Sequence, residues 1–280
     1  MAVRIVTDSS CDLTFDEADA NGIEVVPLSI RIDDKEYTDR FELSVEDFYS
    51  KMSTSVALPE TSAPAPGLFE AAFRKQAEAG ADQIVCLNIS EALSATIQSA
   101  RTAAKALDGE LDVRVVDSKS ITMGLGNLLL TAAKVAQDGG DADAVIAAIN
   151  NQIPRTRLFG ALDTLDNLKK GGRIGGAKAF LGSVLSFKPI IDISTGKVEE
   201  AAKPRTRKKE LQWLLDRIVA DGKVEQLTIV HSHAADIGDF LALIAPSFEA
   251  QNVRVGTIGP VIGTHGGPGI IGACWVTPAR

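Results

Sequence analysis

The chain has 280 residues, 29 basic and 37 acidic side chains, a formal net charge of −8, and 45% apolar residues. These values are typical of a globular protein that buries a full core without disulfides or metals, and the acidic balance argues against a general nucleic-acid binder. The three cysteines are an odd number without a C-x-x-C motif, which indicates a reducing compartment. Because the first residues lack a secretory pattern and no apolar run is long enough to cross a bilayer, we expect a cytoplasmic protein without a transmembrane segment.

Strands and helices alternate through the first half of the chain. Short apolar and β-branched runs predict strands, whereas apolar positions spaced by three and four residues predict helices. The predicted strands are 3–6, 23–32, 84–89 and 113–116, and the predicted helices are 66–79, 95–107, 123–137 and 141–153. This alternation predicts an N-terminal α/β domain, residues 1–154, with a mainly parallel sheet flanked by helices.

The second half has a different pattern, which predicts a mixed α/β domain over residues 155–280. The predicted strands are 158–162, 187–193, 197–201, 227–230 and 253–258, and a helix is predicted over 210–219. Ser194-Thr195-Gly196 has the composition of a hairpin turn between two of these strands. We place the boundary between the two domains near Pro154, after the predicted helix 141–153.

Polar residues follow several of the predicted strands, where open α/β sheets bind their ligands. The run 7–12 follows the first strand, Thr61 and Ser62 precede the helix 66–79, and Ser94 precedes the helix 95–107. Such hydroxyls can cap a helix. They can also bind a carboxylate or phosphate together with the free N–H groups of a helix N-terminus. The sequence leaves both interpretations open.

Two features of the second half also favour an anionic ligand. Basic residues cluster at 169–173 and 203–209, either as solvated helix ends or as a surface for phosphate or an acidic partner. His265 lies in a Gly/Pro-rich segment, 259–269, which we expect to be a loop that allows close backbone approach to a ligand. We therefore predict that His265 donates a hydrogen bond to an anionic group or titrates. Residues 267–272 match G-x-G-x-x-G but leave no room for a βαβ unit, so the sequence predicts no dinucleotide site. His231 and His233 could be metal ligands on one face of a strand, but no third ligand is evident, so neither a metal nor a cofactor is predicted.

Taken in order, these motifs resemble those of the DegV family of bacterial fatty-acid-binding proteins. The resemblance covers nearly the whole chain, and the ordered set is more specific than any one motif. It departs from the family pattern at Ala63, Ala65 and Ala95, where polar residues or glycine are common. The motifs are Thr7-Asp8-Ser9-Ser10-Cys11-Asp12-Leu13, Thr61-Ser62-x-Pro64, Leu93-Ser94-x-Thr96, Lys170-Gly171-Gly172-Arg173-Ile174 and Thr264-His265-Gly266-x-Pro268-Gly269.

The resemblance implies a two-domain α/β protein that holds a long-chain fatty acid, such as palmitate, in an apolar tunnel. It also implies that a separate, ATP-dependent fatty acid kinase converts the bound acid to an acyl phosphate. The chain would then be a lipid-binding protein without catalytic residues of its own. The implied carboxylate ligands are Thr61, Ser62, Ser94, His265 and Gly266, and the residues implied near the phosphate or the kinase are Arg173, Arg205 and Arg207.

Physical chemistry supports this interpretation and leaves an alternative. Burial of an acyl chain contributes about 0.8 kcal/mol per methylene, and a buried carboxylate needs hydrogen-bond donors. The alternative is a stand-alone hydrolase or phosphotransferase that uses Ser9 or Ser94 with His265, although no nucleotide-binding motif supports a kinase. Residues that could line the tunnel, or equally belong to the plain core, are Leu28, Ile30, Phe159, Leu181 and Ile191.

Overall fold

The computed structural model describes residues 2–182 and 187–279, without the side chains of residues 180–182. Its strands are β1 (Val3–Asp8), β2 (Ile23–Val26), β3 (Ser29–Ile32), β4 (Lys35–Thr38), β5 (Glu60–Ser62), β6 (Gln83–Asn88), β7 (Asp112–Asp117), β8 (Thr156–Ala161), β9 (Ile190–Asp192), β10 (Glu199–Ala202), β11 (Glu225–His231), β12 (Arg254–Thr257) and β13 (Ile271–Val276). Its α-helices are α1 (Phe15–Ala20), α2 (Val45–Thr54), α3 (Pro66–Glu78), α4 (Thr96–Ala106), α5 (Thr122–Gln137), α6 (Ala142–Gln152), α7 (Asp166–Lys170), α8 (Arg207–Ala220), α9 (Ile237–Ile244) and α10 (Pro260–Gly266). Short 3-10 turns cover Ser9–Cys11, Ile153–Arg155, Gly175–Gly182 and Ala250–Asn252.

The first sheet is parallel and has the strand order β2-β1-β6-β7. Side chains alternate between its two faces, as the strand period requires. Val6 and Cys86 face a core cluster with Phe69 and Phe73 of α3, on the side that α4 also covers. Ile5 and Val85 face a second cluster that contains the apolar side of α5 and α6. The predicted parallel sheet flanked by helices is confirmed.

The second sheet is mixed and has the strand order β10-β9-β8-β13-β11-β12. Its β11–β12 pair is parallel, and the other pairs are antiparallel. One face, with Phe159 and Trp275, packs against α8 and α9. The opposite face, with Leu158 and Val230, joins the cluster that contains α5 of the first half. One core cluster therefore runs between the two sheets.

The predicted hairpin at Ser194-Thr195-Gly196 is confirmed. Strands β9 and β10 pair in antiparallel fashion on either side of it. Gly196 has a φ of +81°, a conformation that favours glycine over other residues. The turn packs against the first half of the chain, because Ser90 Oγ donates a hydrogen bond of 2.6 Å to the carbonyl oxygen of Gly196.

The prediction of one strand over residues 23–32 is wrong, because the chain changes sheets within that segment. Strand β2 pairs with β1 in the first sheet, whereas β3 pairs with β4 and β5 in a separate antiparallel sheet. Pro27 stands between them and has no N–H with which to continue a ladder. The N–H of Leu28 donates instead to the hydroxyl oxygen of Ser9, at 3.1 Å.

The prediction of a loop over residues 259–269 is also wrong in part, because residues 260–266 form helix α10. Pro260 stands at the start of the helix, where its fixed φ suits the first turn and its missing N–H costs nothing. Gly267, with a φ of +83°, ends the helix. His265 consequently lies in the last helical turn.

The connection between the two sheets runs through α6 and the turn Ile153–Arg155. The strands of the first sheet end at Asp117, and those of the second begin at Thr156. The predicted boundary at Pro154 lies in this connection, but the division into two domains stays a prediction because one core cluster is shared. Across residues 2–182 and 187–279, no helix combines the length and the apolar character needed to cross a membrane.

Candidate functional site

A largely apolar cavity lies where the two halves meet. The empty space inside it, counted together with the open solvent at its mouth, is about 820 Å³. The second sheet contributes side chains from β8, β9 and β11, and α10 contributes Val261 and Ile262. The first half contributes residues that follow its strands, including Ile89 after β6 and Ile121 after β7. The cavity therefore lies at the carboxyl edge of the first sheet, where open α/β sheets bind ligands.

Thr61 and His265 meet at the wall of this cavity. The hydroxyl oxygen of Thr61, on β5, lies 3.0 Å from Nε2 of His265. The other ring nitrogen, Nδ1, is buried and has no hydrogen-bond partner among the residues that the structure describes. Gly171, directly after α7, packs so closely on the ring that a Cβ there would lie 2.4 Å from Nδ1. The glycine of the Lys-Gly-Gly-Arg motif thus leaves room for the histidine.

Burial governs the charge of His265. Burial, together with a smaller contribution from the nearby guanidinium of Arg173, lowers the pKa of the imidazole to about 4. The ring is therefore neutral near pH 7 and carries one N–H and one lone pair. The histidine offers a directed hydrogen bond, and the permanent positive charge at this end of the cavity belongs to Arg173.

Arg173 is held by backbone carbonyls from both halves of the chain. Its Nη1 donates to the carbonyl oxygen of Gly171 at 2.8 Å, and its Nε donates to that of Leu93 at 3.2 Å. Arg173 also lines the cavity and remains exposed to solvent. Because Leu93 precedes Ser94, this contact brings the arginine to the segment that carries the predicted ligand Ser94.

Ser94 and Gly266 complete the predicted residues at the cavity. The hydroxyl oxygen of Ser94 lies 2.9 Å from that of Thr96 and accepts a 3.3 Å hydrogen bond from the N–H of Thr96. The Ser94 hydroxyl therefore accepts a hydrogen bond from the first residue of α4 and also lines the cavity. Five predicted site residues thus surround one cavity: Thr61, Ser94, Arg173, His265 and Gly266.

Three predicted site residues lie elsewhere. Ser62 is exposed and absent from the cavity wall, because adjacent residues of a strand point to opposite faces. Arg205 is exposed and does not line the cavity either. Arg207 donates to Asp236 at 2.8 Å, Glu210 at 3.0 Å and the Gly269 carbonyl at 2.8 Å, so its donors are already engaged. The predicted ligand contacts of these three residues stay predictions.

Polar residues at the end of β1 and directly after it fix part of the cavity wall. The Asp8 carboxylate accepts hydrogen bonds from the N–H groups of Ser10 and Ile89 and from the side chains of Ser10 and Asn88. Its bond to the N–H of Ile89, at 2.9 Å, fixes a residue of the cavity wall. Ser9 is bonded to Leu28, and His265 Nε2 contacts Thr61 rather than a serine. This geometry gives no support to a Ser9–His265 catalytic pair.

The predicted tunnel residues divide between wall and core. Leu28 and Ile191 line the cavity, and so does Phe159, although its side chain belongs to the core cluster on the other face of the second sheet. Ile30 instead belongs to a separate core cluster with Phe48 and Tyr49. The side chain of Leu181 lies outside the described residues. Sequence reasoning missed Gly160, Gly272 and Val230, which line the cavity because neighbouring strands bring them together.

Comparison with known proteins identifies the family. A family model described as "Uncharacterised protein, DegV family" matches residues 2–278, almost the entire chain. The chain belongs to the DegV family. A DegV domain-containing protein of Listeria innocua is 36% identical over 278 residues, which cover 98% of this chain and 99% of the relative.

Two solved structures, one of them of a DegV family protein, share the fold. The structure titled "Fatty Acid Binding of a DegV family Protein from Thermus thermophilus" has a TM-score of 0.91 and 32% identity, and covers 99% of this chain and 100% of its own. A stearic acid-binding protein of Eubacterium ventriosum has a TM-score of 0.87 and 25% identity, and covers 98% of each chain. The resemblance to the DegV family and the α/β fold expected from it are confirmed.

Proposed function

We propose that this DegV family protein binds a long-chain fatty acid, such as palmitate, with its carboxylate at Thr61, Ser94, Arg173 and His265. The observation that carries the proposal is an apolar cavity whose wall places the Thr61–His265 pair and Arg173 together. The DegV family protein from Thermus thermophilus and the protein from Eubacterium ventriosum are both described as binding fatty acids. The proposal extends that property to this chain.

The chemistry of the cavity fits both ends of such a ligand. Each buried methylene contributes about 0.8 kcal/mol, so a long acyl chain supplies most of the binding free energy. A carboxylate leaving water needs compensating donors. The hydroxyls of Thr61 and Ser94 and the N–H of His265 supply hydrogen bonds, and Arg173 supplies positive charge.

We further propose that the protein presents the bound carboxylate to a separate kinase. In that reaction a carboxylate oxygen attacks the γ-phosphorus of ATP, which gives an acyl phosphate and ADP. This chain would hold and orient the acid, and the kinase would supply the phosphoryl-transfer chemistry. The exposure of Arg173 and of its neighbours Lys169 and Lys170 supports this step, because it leaves positive charge accessible near the carboxylate.

The binding proposal is tested by the lipid that accompanies the purified protein. Mass spectrometry of a denatured extract is expected to give the mass of a long-chain fatty acid, and palmitate is expected to bind the delipidated protein. Thr61→Val retains the side-chain shape but removes a donor to a charged group, so affinity is expected to fall about ten- to hundredfold. Unchanged affinity would rule out the assignment of Thr61 to the carboxylate.

Ser62→Ala is the matched control, since its hydroxyl is exposed and lies off the cavity wall. We expect palmitate affinity to change less than twofold in this variant. A loss as large as that of Thr61→Val would restore Ser62 as a ligand. Substrate turnover by the isolated chain that disappears in His265→Ala would instead support the hydrolase or phosphotransferase alternative.

A further inference from the structure

Two glycines face each other in the middle of the second sheet, on the side that lines the cavity. Gly160 on β8 pairs directly with Gly272 on β13. Ile191 on β9 flanks Gly160, and Val230 on β11 flanks Gly272. All four residues line the cavity. Because directly paired residues share a face of the sheet, the two glycines form a groove between two branched side chains.

Backbone conformation does not explain these glycines. Neither is among the residues with positive φ, so other side chains could adopt the same backbone. Glycine inside a strand weakens it, because it gains no side-chain packing and loses more conformational freedom on folding. The space in front of the strands is therefore the feature that distinguishes these positions.

The space can be located from the contacts that a side chain would make. A Cβ at Gly160 would lie 3.2 Å from Cδ1 of Leu162 and 3.5 Å from Cγ1 of Ile191, which is tight but tolerable. A Cβ at Gly272 would lie 2.8 Å from Cγ2 of Val230, which would force a shift. A methyl group therefore fits at Gly160 if Leu162 gives way slightly, whereas at Gly272 it requires a larger shift of Val230.

The groove also has a defined place relative to the polar end. Gly266 directly follows His265, and a Cβ at Gly266 would lie 2.3 Å from Cδ1 of Ile270, so these two residues are packed together. Ile270 lines the cavity as well and precedes Gly272 by two residues. The wall therefore leads from His265 past Ile270 to the glycine pair.

We propose that the groove at Gly160 and Gly272 binds the distal part of the acyl chain and so sets the length of chain that the cavity accepts. This inference rests on the proposed fatty-acid binding and adds the residues that determine specificity. A methyl group at position 160 would fill part of this groove. It would weaken the binding of chains that reach the groove and leave shorter chains unaffected.

The test is the ratio of affinities for stearate and decanoate, measured by titration of delipidated protein. In Gly160→Ala we expect the stearate-to-decanoate ratio to fall at least about fourfold, the equivalent of one excluded methylene. Gly160→Val should lower it further. Gly238→Ala adds the same methyl group in open space on α9 and is expected to leave the ratio unchanged.

A second variant keeps the inference falsifiable if Gly160→Ala does not fold. Ile191→Val removes a methyl group beside the same groove and is expected to raise the ratio. An unchanged ratio in a folded Gly160→Ala, or in Ile191→Val if the former does not fold, would overturn the inference. If the wild-type protein binds neither acid, the proposed function itself fails. If the protein still binds fatty acid but the stearate-to-decanoate ratio is unchanged, only the inference about the glycine groove is overturned.

Discussion

The central residue of the site, His265, depends on a close contact with a glycine. Its Nε2 lies against the Thr61 hydroxyl, and its Nδ1 side faces the α-carbon of Gly171. The backbone at Gly171 is ordinary, so glycine is needed there for space. The imidazole thus lies between the Thr61 hydroxyl and the backbone of Gly171.

Gly171→Ala is expected to displace the His265 ring. Its Cβ would lie 2.4 Å from Nδ1 and 3.0 Å from the Asn167 carbonyl oxygen, so the ring has to move away from Thr61. We expect palmitate affinity to fall about tenfold, the loss of one net hydrogen bond. Titration measures the affinity, and NMR should show the pKa of His265 returning toward its ordinary value. Gly67→Ala, with no atom near its Cβ, is the control and should bind normally.

The lowered pKa of His265 also predicts a dependence of stability on pH. Because the pKa is about 4 in the folded state and about 6.5 in the unfolded state, the unfolded state binds more protons between these values. Stability from this group is therefore complete above about pH 6.5 and is lost as the pH falls toward 4. Between about pH 7.5 and 5 the loss amounts to about 2 kcal/mol.

The comparison with His265→Gln isolates this contribution, because other buried groups titrate in the opposite sense. Burial raises the pKa of Asp12 to about 7 and that of Asp39 to about 6, which favours the folded state at lower pH. Urea unfolding at both pH values is expected to show a smaller loss in the variant than in the wild type. Equal losses in the two proteins would contradict the lowered pKa.

At the scale of elements, the hairpin β9–β10 joins the second half to the loop after β6. Ile191, Ile193 and Val198 of this hairpin line the cavity, so its position shapes the site. The link is the bond from the buried Ser90 hydroxyl to the Gly196 carbonyl. A Cβ at Gly196 would also lie 2.9 Å from the backbone of Lys119, so the turn packs tightly on the first half.

Ser90→Ala is expected to destabilise the protein by about 1–3 kcal/mol, because it leaves a buried carbonyl without its partner. Denaturant unfolding measures the loss. Ser53→Ala is the control, since Ser53 is exposed and bonds only within its own helix to the Ser50 carbonyl. Its free energy of unfolding should change by less than about 0.5 kcal/mol. Equal effects of the two substitutions would show that the hairpin does not depend on this contact.

The whole molecule has one core cluster that crosses from the first sheet to the second. Leu87 and Leu125 of the first half belong to it together with Leu158 and Val230 of the second. The cavity opens within the same interface, so binding and the packing of the two halves share their side chains. The two predicted domains would therefore stabilise one another.

We expect one unfolding transition for the molecule. Both tryptophans, Trp213 and Trp275, lie in the second half, whereas the far-ultraviolet circular dichroism signal reports helices of both halves. Because the core is shared, the two signals should give the same denaturant midpoint. Separate midpoints would indicate that residues 1–154 and 155–280 unfold as independent domains.

A bound fatty acid should stabilise this single unit by mass action. Free ligand at about one hundred times its dissociation constant is expected to raise the free energy of unfolding by about 2.7 kcal/mol. Thr61→Val should need a proportionally higher palmitate concentration for the same gain. A gain that is the same in both proteins at equal palmitate concentration would contradict the assignment of Thr61 to the carboxylate.

The sequence by itself determined the features that depend on near neighbours in the chain. The alternation of strands and helices, the turn at residues 194–196 and the family motifs follow from side-chain period, turn chemistry and local order. The local pattern predicted the wrong structure for residues 23–32 and for part of residues 259–269. Strand pairing decided the first segment, and helix formation decided the second. Only the tertiary structure brought Thr61 to His265 across 204 residues and set Gly160 opposite Gly272. Such close approaches depend on strand register and core packing, which no short stretch of sequence encodes.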